Sequence, residues 1–164
     1  MAALNSLQTL TRYKRWADAL MIGDVAAAPP GEALRERPTR WQNMVRTLNH
    51  VHVVDDLFRC HLLGKSHGYT YRNTDITPPL EELRHAMLAL DDWYVDYANA
   101  LSAKAQAELV PFQFLDGGSG AMTRGDMLLH VVNHATYHRG LVSDMLYQAG
   151  CVPSTNDLPV FLAG

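Results

Sequence analysis

Apolar residues recur along this chain at intervals of three and four, with turn-forming stretches between the runs, as amphipathic helices require. From about Asn5 to Val25 the apolar positions are Leu7, Leu10, Tyr13, Ala17, Leu20, Met21 and Val25. The AAAPPG at 26–31 ends that run, because proline supplies no N–H and clashes with the preceding turn. Thr39 with Gln42 three residues on reads as a capping box, predicting a second helix from there to Gly64. Its inward arc holds Met44, Val51, Val54, Phe58 and Leu62. Pro78 and Pro79, with Thr77 as cap and Glu81 and Glu82 in the dipole-favoured first turn, open a third helix. That helix buries Leu83, Met87, Leu90, Tyr94, Tyr97 and Leu101.

The last long helix, Thr123–Gly150, carries both a start and a stop signal. Thr123 and Asp126 cap it, Gly150 suits the left-handed position after its end, and Pro153 forbids continuation. The polar stretch 65–77 has the length of a crossover, and ELVPFQFLDGGSGAM (108–122) reads as a short hairpin or irregular loop. GGSG lacks the lysine of a phosphate loop. The tail is expected to fold back through Val160, Phe161 and Leu162. The pattern predicts an all-α four-helix bundle, one domain over residues 1–164.

Composition changes this picture little. At 164 residues, 48% hydrophobic and 19% charged, the chain is long enough to bury a sizeable core. Its net charge of −3 and scattered basic residues disfavour a nucleic-acid partner. Cys60 and Cys151, with no CxxC, argue against a disulfide framework or a thiolate zinc site. The first residues do not read as a signal peptide and no apolar run is long enough to span a bilayer, so a cytoplasmic protein is expected.

The chemistry lies in the histidines. His130, His134 and His138 follow at four-residue intervals on the last helix. His134 and His138 lie near the middle of the arc made by Met127, Val131, Leu141, Val142 and Met145; His130 lies on its edge. Two inward imidazoles one turn apart each need a partner, and either hydrogen bonds in the core or a shared metal ion would serve. On the second helix His50 shares a side with Val54, Leu57 and His61, whereas His52 falls with the polar Asn49, Asp56 and Arg59. Counted from the helix starts, His50, His134 and His138 all fall near mid-height, where three imidazoles would form an open site of the catalytic kind. Zinc, nickel, cobalt or iron would accept such ligands.

Ala135 follows His134, so this is not the HExxH of a zinc protease and a base must come from elsewhere. Asp55 is the nearest candidate, either as base, as a partner to an imidazole N–H, or as a merely solvated carboxylate. Glu82 and His85 have the spacing of a di-iron carboxylate motif, but the wheel turns both away from the core and no second copy exists. His67, in the polar loop, is expected to be exposed.

The LNHV of the second helix and the HVVNHATYHRG of the last resemble the DinB/YfiT-like family of bacterial metal-binding bundles. The RYKRWAD of the first helix and the closing DLPVFL are similar to that family's ends, so the resemblance spans nearly the whole chain. It implies an up-down-down-up bundle, a homodimer, and a divalent metal held by His50, His134 and His138, with zinc or nickel first and cobalt, iron or manganese as alternatives. His130 matches no ligand position. Where the family often continues HRGQ, this chain has Leu141, an apolar residue on the inward arc, which weighs against hydrolysis and leaves metal binding untouched. Arg139 points away from the site by the wheel and is expected in a structural salt bridge.

Relatives include bacillithiol- and mycothiol-dependent enzymes. The resemblance therefore implies transfer of a low-molecular-weight thiol to a small electrophile; the acidic balance and the short apolar runs argue for no nucleic-acid or membrane partner. A hydrolase using activated water and a non-catalytic stress protein that binds metal or a small ligand are the alternatives.

Overall fold

The structure, a computed structural model, describes residues 5–72 and 76–164 and is mostly helical. In chain order the elements are α1 (Ser6–Ala27), α2 (Met44–Leu63), α3 (Leu80–Ala100), the one-turn α4 (Ala103–Gln106), β1 (Leu109–Gln113), β2 (Ser119–Thr123), α5 (Arg124–Gln148) and the short α6 (Leu158–Ala163). The two strands form an antiparallel hairpin in which Leu109 faces Thr123 and Gln113 faces Ser119. Three of the four long helices start where a side chain satisfies a free N–H group. Asn5 and Gln8 cap α1 reciprocally, at 2.9 and 3.0 Å. At α5, Thr123 accepts from the Asp126 N–H at 3.0 Å and its hydroxyl donates to the Asp126 carboxylate at 2.7 Å.

Two starts differ from the sequence expectation. The cap of α2 is Asn43, which accepts from the Arg46 N–H at 2.8 Å. Thr39 and Gln42 instead close a turn, the Gln42 N–H donating to Thr39 Oγ1 at 3.1 Å, and Gln42 takes a left-handed φ of 63° through which no helix runs. A hydroxyl three residues before a backbone N–H thus closes a turn as readily as it starts a helix. At α3 the residue before the helix is Pro79, with no side-chain cap, so Thr77 does not cap it.

α1 packs on α3 and α5, and α2 packs on α5 and α3. One apolar cluster gathers Met21, Ile22, Met44, Leu48, Met87, Val142 and Met145 from all four long helices. A second joins Leu62, Leu90, Tyr94, Met127 and Val131 with Val110 of the hairpin. The same four helices also bury a charge layer of Lys14, Asp18, Asp55, Asp91 and Arg139. The tail folds back through Phe161, 5.9 Å from the Tyr13 ring and 5.5 Å from Trp16. Val160 and Leu162 stay exposed, so the anchor is narrower than the three-residue one expected. No described helix is long and apolar enough to cross a membrane.

Candidate metal centre

His50 sits on the inner face of α2, and its Nδ1 meets the Arg72 carbonyl at 2.8 Å. A carbonyl only accepts, so this contact puts the ring proton on Nδ1 and leaves the Nε2 lone pair free. That Nε2 lies 3.1 Å from Nε2 of His134, across from α5. His138, one turn further along α5, completes a triangle of rings: 4.9 Å between the centroids of His50 and His134, 4.7 Å between His50 and His138, and 4.5 Å between His134 and His138. One ring nitrogen from each lies within 4.8 Å of the others. Trp41, just before α2, stacks on His50 at 4.1 Å and meets His138 edge-on at 5.2 Å.

Burial pushes the His134 ring down to about 2, and the neighbouring His138, His50 and His130 push the same way. Burial, then His50, lowers His138 to about 4. His50 is lowered chiefly by burial, with a further push from Arg72 and Arg40 against the hydrogen bond to the Arg72 carbonyl. All three rings are therefore neutral at pH 7, the form that donates a lone pair without first releasing a proton.

The group suits a divalent ion. Two nitrogens on one tetrahedral ion stand about 3.3 Å apart, given metal–nitrogen distances of about 2.0–2.1 Å, and the His50–His134 separation is close to that. The Nδ1 atoms of His134 and His138 are buried without a hydrogen-bond partner among the described residues. An all-nitrogen donor set suits zinc, nickel, cobalt or iron better than magnesium or calcium.

The triangle forms part of the wall of a cavity of about 700 Å³. His130 lines it too and stacks on His134 at 5.6 Å, with Phe58 on the ring at 4.4 Å. Phe112 and Phe114 of the hairpin region and Tyr137 of α5 supply aromatic wall, and Arg40, Arg72 and Asp116 supply charge. Leu141 is half-buried and does not line the cavity. His67 is half-buried rather than exposed, because its ring meets His61 edge-on at 5.5 Å. Glu82 and His85 are both exposed.

Asp55 lies elsewhere. Its carboxylate meets Lys14 Nζ at 2.8 Å in the buried charge layer, and it does not line the cavity. The same ammonium holds Asp18 at 2.8 Å and Asp91, while Arg139 donates to Asp18 at 2.6 Å, the structural salt bridge expected of it. The three aspartates come close enough together to suggest a second cation site, but Lys14 already fills that place. Sequence reasoning passed over Trp41, which precedes α2 outside any periodic stripe. It also missed Lys14 and Asp18, whose i, i+4 spacing among α1's apolar positions was the available signal.

A sequence model of the DinB family matches residues 2–164. Protein DinB of Bacillus subtilis (strain 168) is 28% identical over 161 residues, covering 93% of this chain and 91% of the relative. The crystal structure of a DinB-like protein from Bacillus cereus ATCC 10987 superposes with a TM-score of 0.62 at 17% identity, over 88% of this chain and 91% of that one. This last likeness is one of fold.

Proposed function

Since the chain belongs to the DinB family, we propose that His50, His134 and His138 hold a divalent metal ion, and that the protein uses it to transfer a low-molecular-weight thiol to a small electrophile. The observation that carries this reading is the meeting of three neutral imidazoles, from two helices, at the wall of a cavity large enough for a small molecule. The reading includes the up-down-down-up connection of a four-helix bundle and assembly as a homodimer.

When bound, a metal of this kind supplies Lewis-acid activation, lowering the pKa of a thiol so that it reacts as a thiolate. The protein's part is positioning. The Arg72 carbonyl fixes the His50 tautomer, and Trp41 holds that ring by stacking. In the overall reaction sulfur bonds to the electrophilic carbon, the leaving group departs with the bonding electron pair, and the thiol proton passes to the leaving group or solvent. Hydrolysis is the weaker reading, since Asp55, the base expected from the sequence, is engaged by Lys14 away from the cavity.

The test is elemental analysis of the purified protein, followed by thiol-consumption assays with a panel of thiols and electrophiles. About one metal per chain and consumption of at least one thiol pair are expected. Stoichiometric metal persisting in both His50→Ala and His138→Ala removes the site. Metal without thiol consumption leaves a binding protein.

A further inference from the structure

Among the described residues, every arginine but two has a side-chain hydrogen bond or ion pair. Arg12 holds Asn99, Arg15 holds Asp92, Arg35 and Arg37 hold Glu32, Arg59 holds Asp56, Arg84 meets Glu81, Arg124 holds Glu108 and Arg139 holds Asp18. Arg46 is likewise engaged, with Gln42. The two exceptions are Arg40 and Arg72, and both line the cavity of the histidine triangle.

Their placement is tied to His50 from two directions. Arg72 is anchored by its own carbonyl, which His50 Nδ1 binds at 2.8 Å. Arg40 precedes Trp41, the residue stacked on His50, and its guanidinium stands 5.7 Å from the Trp41 ring centre. Against the two arginines the described lining sets one carboxylate, Asp116, and the histidine triangle contributes no negative ligand. The remaining wall is largely apolar, including Val54, Leu57, Phe112 and Phe114. A chain of net charge −3 thus presents a cavity whose charge is locally positive, and a divalent ion on three neutral ligands would add to it.

We infer that this cavity takes a small amphipathic acid: an oxyanion, carboxylate or phosphate, joined to an apolar or aromatic body, with Arg40 and Arg72 as the residues that select the anion. The planar guanidinium fork matches an oxyanion in geometry and keeps its charge at every working pH. The aromatic wall contributes affinity, and the two arginines contribute choice. The inference deepens the proposed thiol transfer and rests on that reading for the reaction; the selection of acids is a binding property measured separately.

The experiment is calorimetric titration of the full chain, metal-loaded and chelator-treated, with 2-naphthoate, 2-naphthyl phosphate and the neutral 2-naphthamide. Either acid is expected to bind about tenfold more tightly than the amide, a preference of the size charged hydrogen bonds give, and to lose that advantage as salt rises. Comparison of the two acids tells which oxyanion is preferred. In Arg40→Gln/Arg72→Gln the preference should fall to near one, with helical content by circular dichroism and metal content unchanged. Equal binding of acid and amide, no binding of any probe, or a preference that survives in the double variant overturns the inference. If metal fails to bind but the arginine-dependent preference holds in the metal-free protein, the metal reading fails alone. If metal binds and no preference appears, the substrate inference fails alone.

Discussion

Lys14 Nζ meets the Asp55 carboxylate at 2.8 Å inside a core where neither side chain is more than 3% exposed. Three carboxylates, Asp18, Asp55 and Asp91, converge on this one ammonium, and Arg139 supports Asp18 alone. Replacing Lys14 by Met keeps the volume but strands Asp55 and Asp91 without a cation. Breaking a buried ion network from one side costs about 3–5 kcal/mol, so Lys14→Met should lower the urea midpoint sharply. A midpoint within experimental error of the parent would show that the layer does not hold the helices together.

The same layer sets a pH dependence. Three buried acids against two cations leave one negative charge too many, and burial pushes Asp91 up to about 8 and Asp55 to about 6, against the pull of Lys14. Their folded values lie above the unfolded value of about 3.9, so the stability from holding these protons is full below that value and is lost as pH rises through 6 and 8. The buried histidines work in the opposite sense. His138 and His134 are held below their unfolded value of about 6.5, and the stability of the metal-free chain falls as pH drops towards 4. Stability of the metal-free chain should therefore peak near pH 6.5 and fall by about 1.4 kcal/mol per unit, one proton's worth, up to pH 8. Asp91→Asn should abolish the fall above pH 6.5 and steepen the rise below it, since Asp91 offsets part of the histidine contribution from about pH 4 upward. Chemical denaturation of both proteins at pH 6.5, 7.5 and 8.5 decides the matter.

Much of this arrangement was legible in the sequence, for a physical reason. His50, His134 and His138 lie on long helices whose period of 3.6 fixes side-chain direction, so the wheel places them as reliably as it places Val54 or Met145. Thr123 and Gly150 mark the ends of α5 through local backbone chemistry that needs no tertiary context. What escaped notice depends on partners far away in the chain. Asp55 reads as a candidate base because it lies on the His50 helix close to the apolar stripe, but whether a carboxylate faces a cavity or an ammonium is decided by α1, which contributes Lys14. Arg40, Trp41 and Arg72 sit in connections, where no period governs direction. The Thr39–Gln42 pair misled because its signature specifies a local hydrogen-bonded turn, and Gln42's left-handed φ ends any helix there.

Metal binding should appear as linked stability. An ion that binds only the folded chain raises its stability by about 2.7 kcal/mol at one hundred times its dissociation constant. Zinc or nickel should therefore raise the melting temperature of the chelated protein in a concentration-dependent way. His138→Ala, which removes one ligand of three, should show little or no rise at the same concentrations. Equal shifts in the two proteins would mean that the ion binds elsewhere.

Trp41 tests how the site is held, apart from what it holds. Its ring stacks on His50 and meets His138 edge-on, and it also packs against the cluster that contains Met44 and Leu48. Trp41→Ala should therefore cost stability, about 1–3 kcal/mol for a half-buried aromatic, and should weaken metal binding about tenfold, as loss of a group that orients a ligand does. Trp41→Phe, which keeps a stacking ring, should recover most of both. Arg40→Ala removes an exposed charge near the Trp41 ring but keeps both stacked rings, so it should leave metal affinity close to the parent's in a competition assay against a chromophoric chelator. If Trp41→Ala binds metal as tightly as the parent, the His50 ring is fixed by the Arg72 carbonyl alone, and the tryptophan belongs to the cavity wall rather than to the support of the ligands.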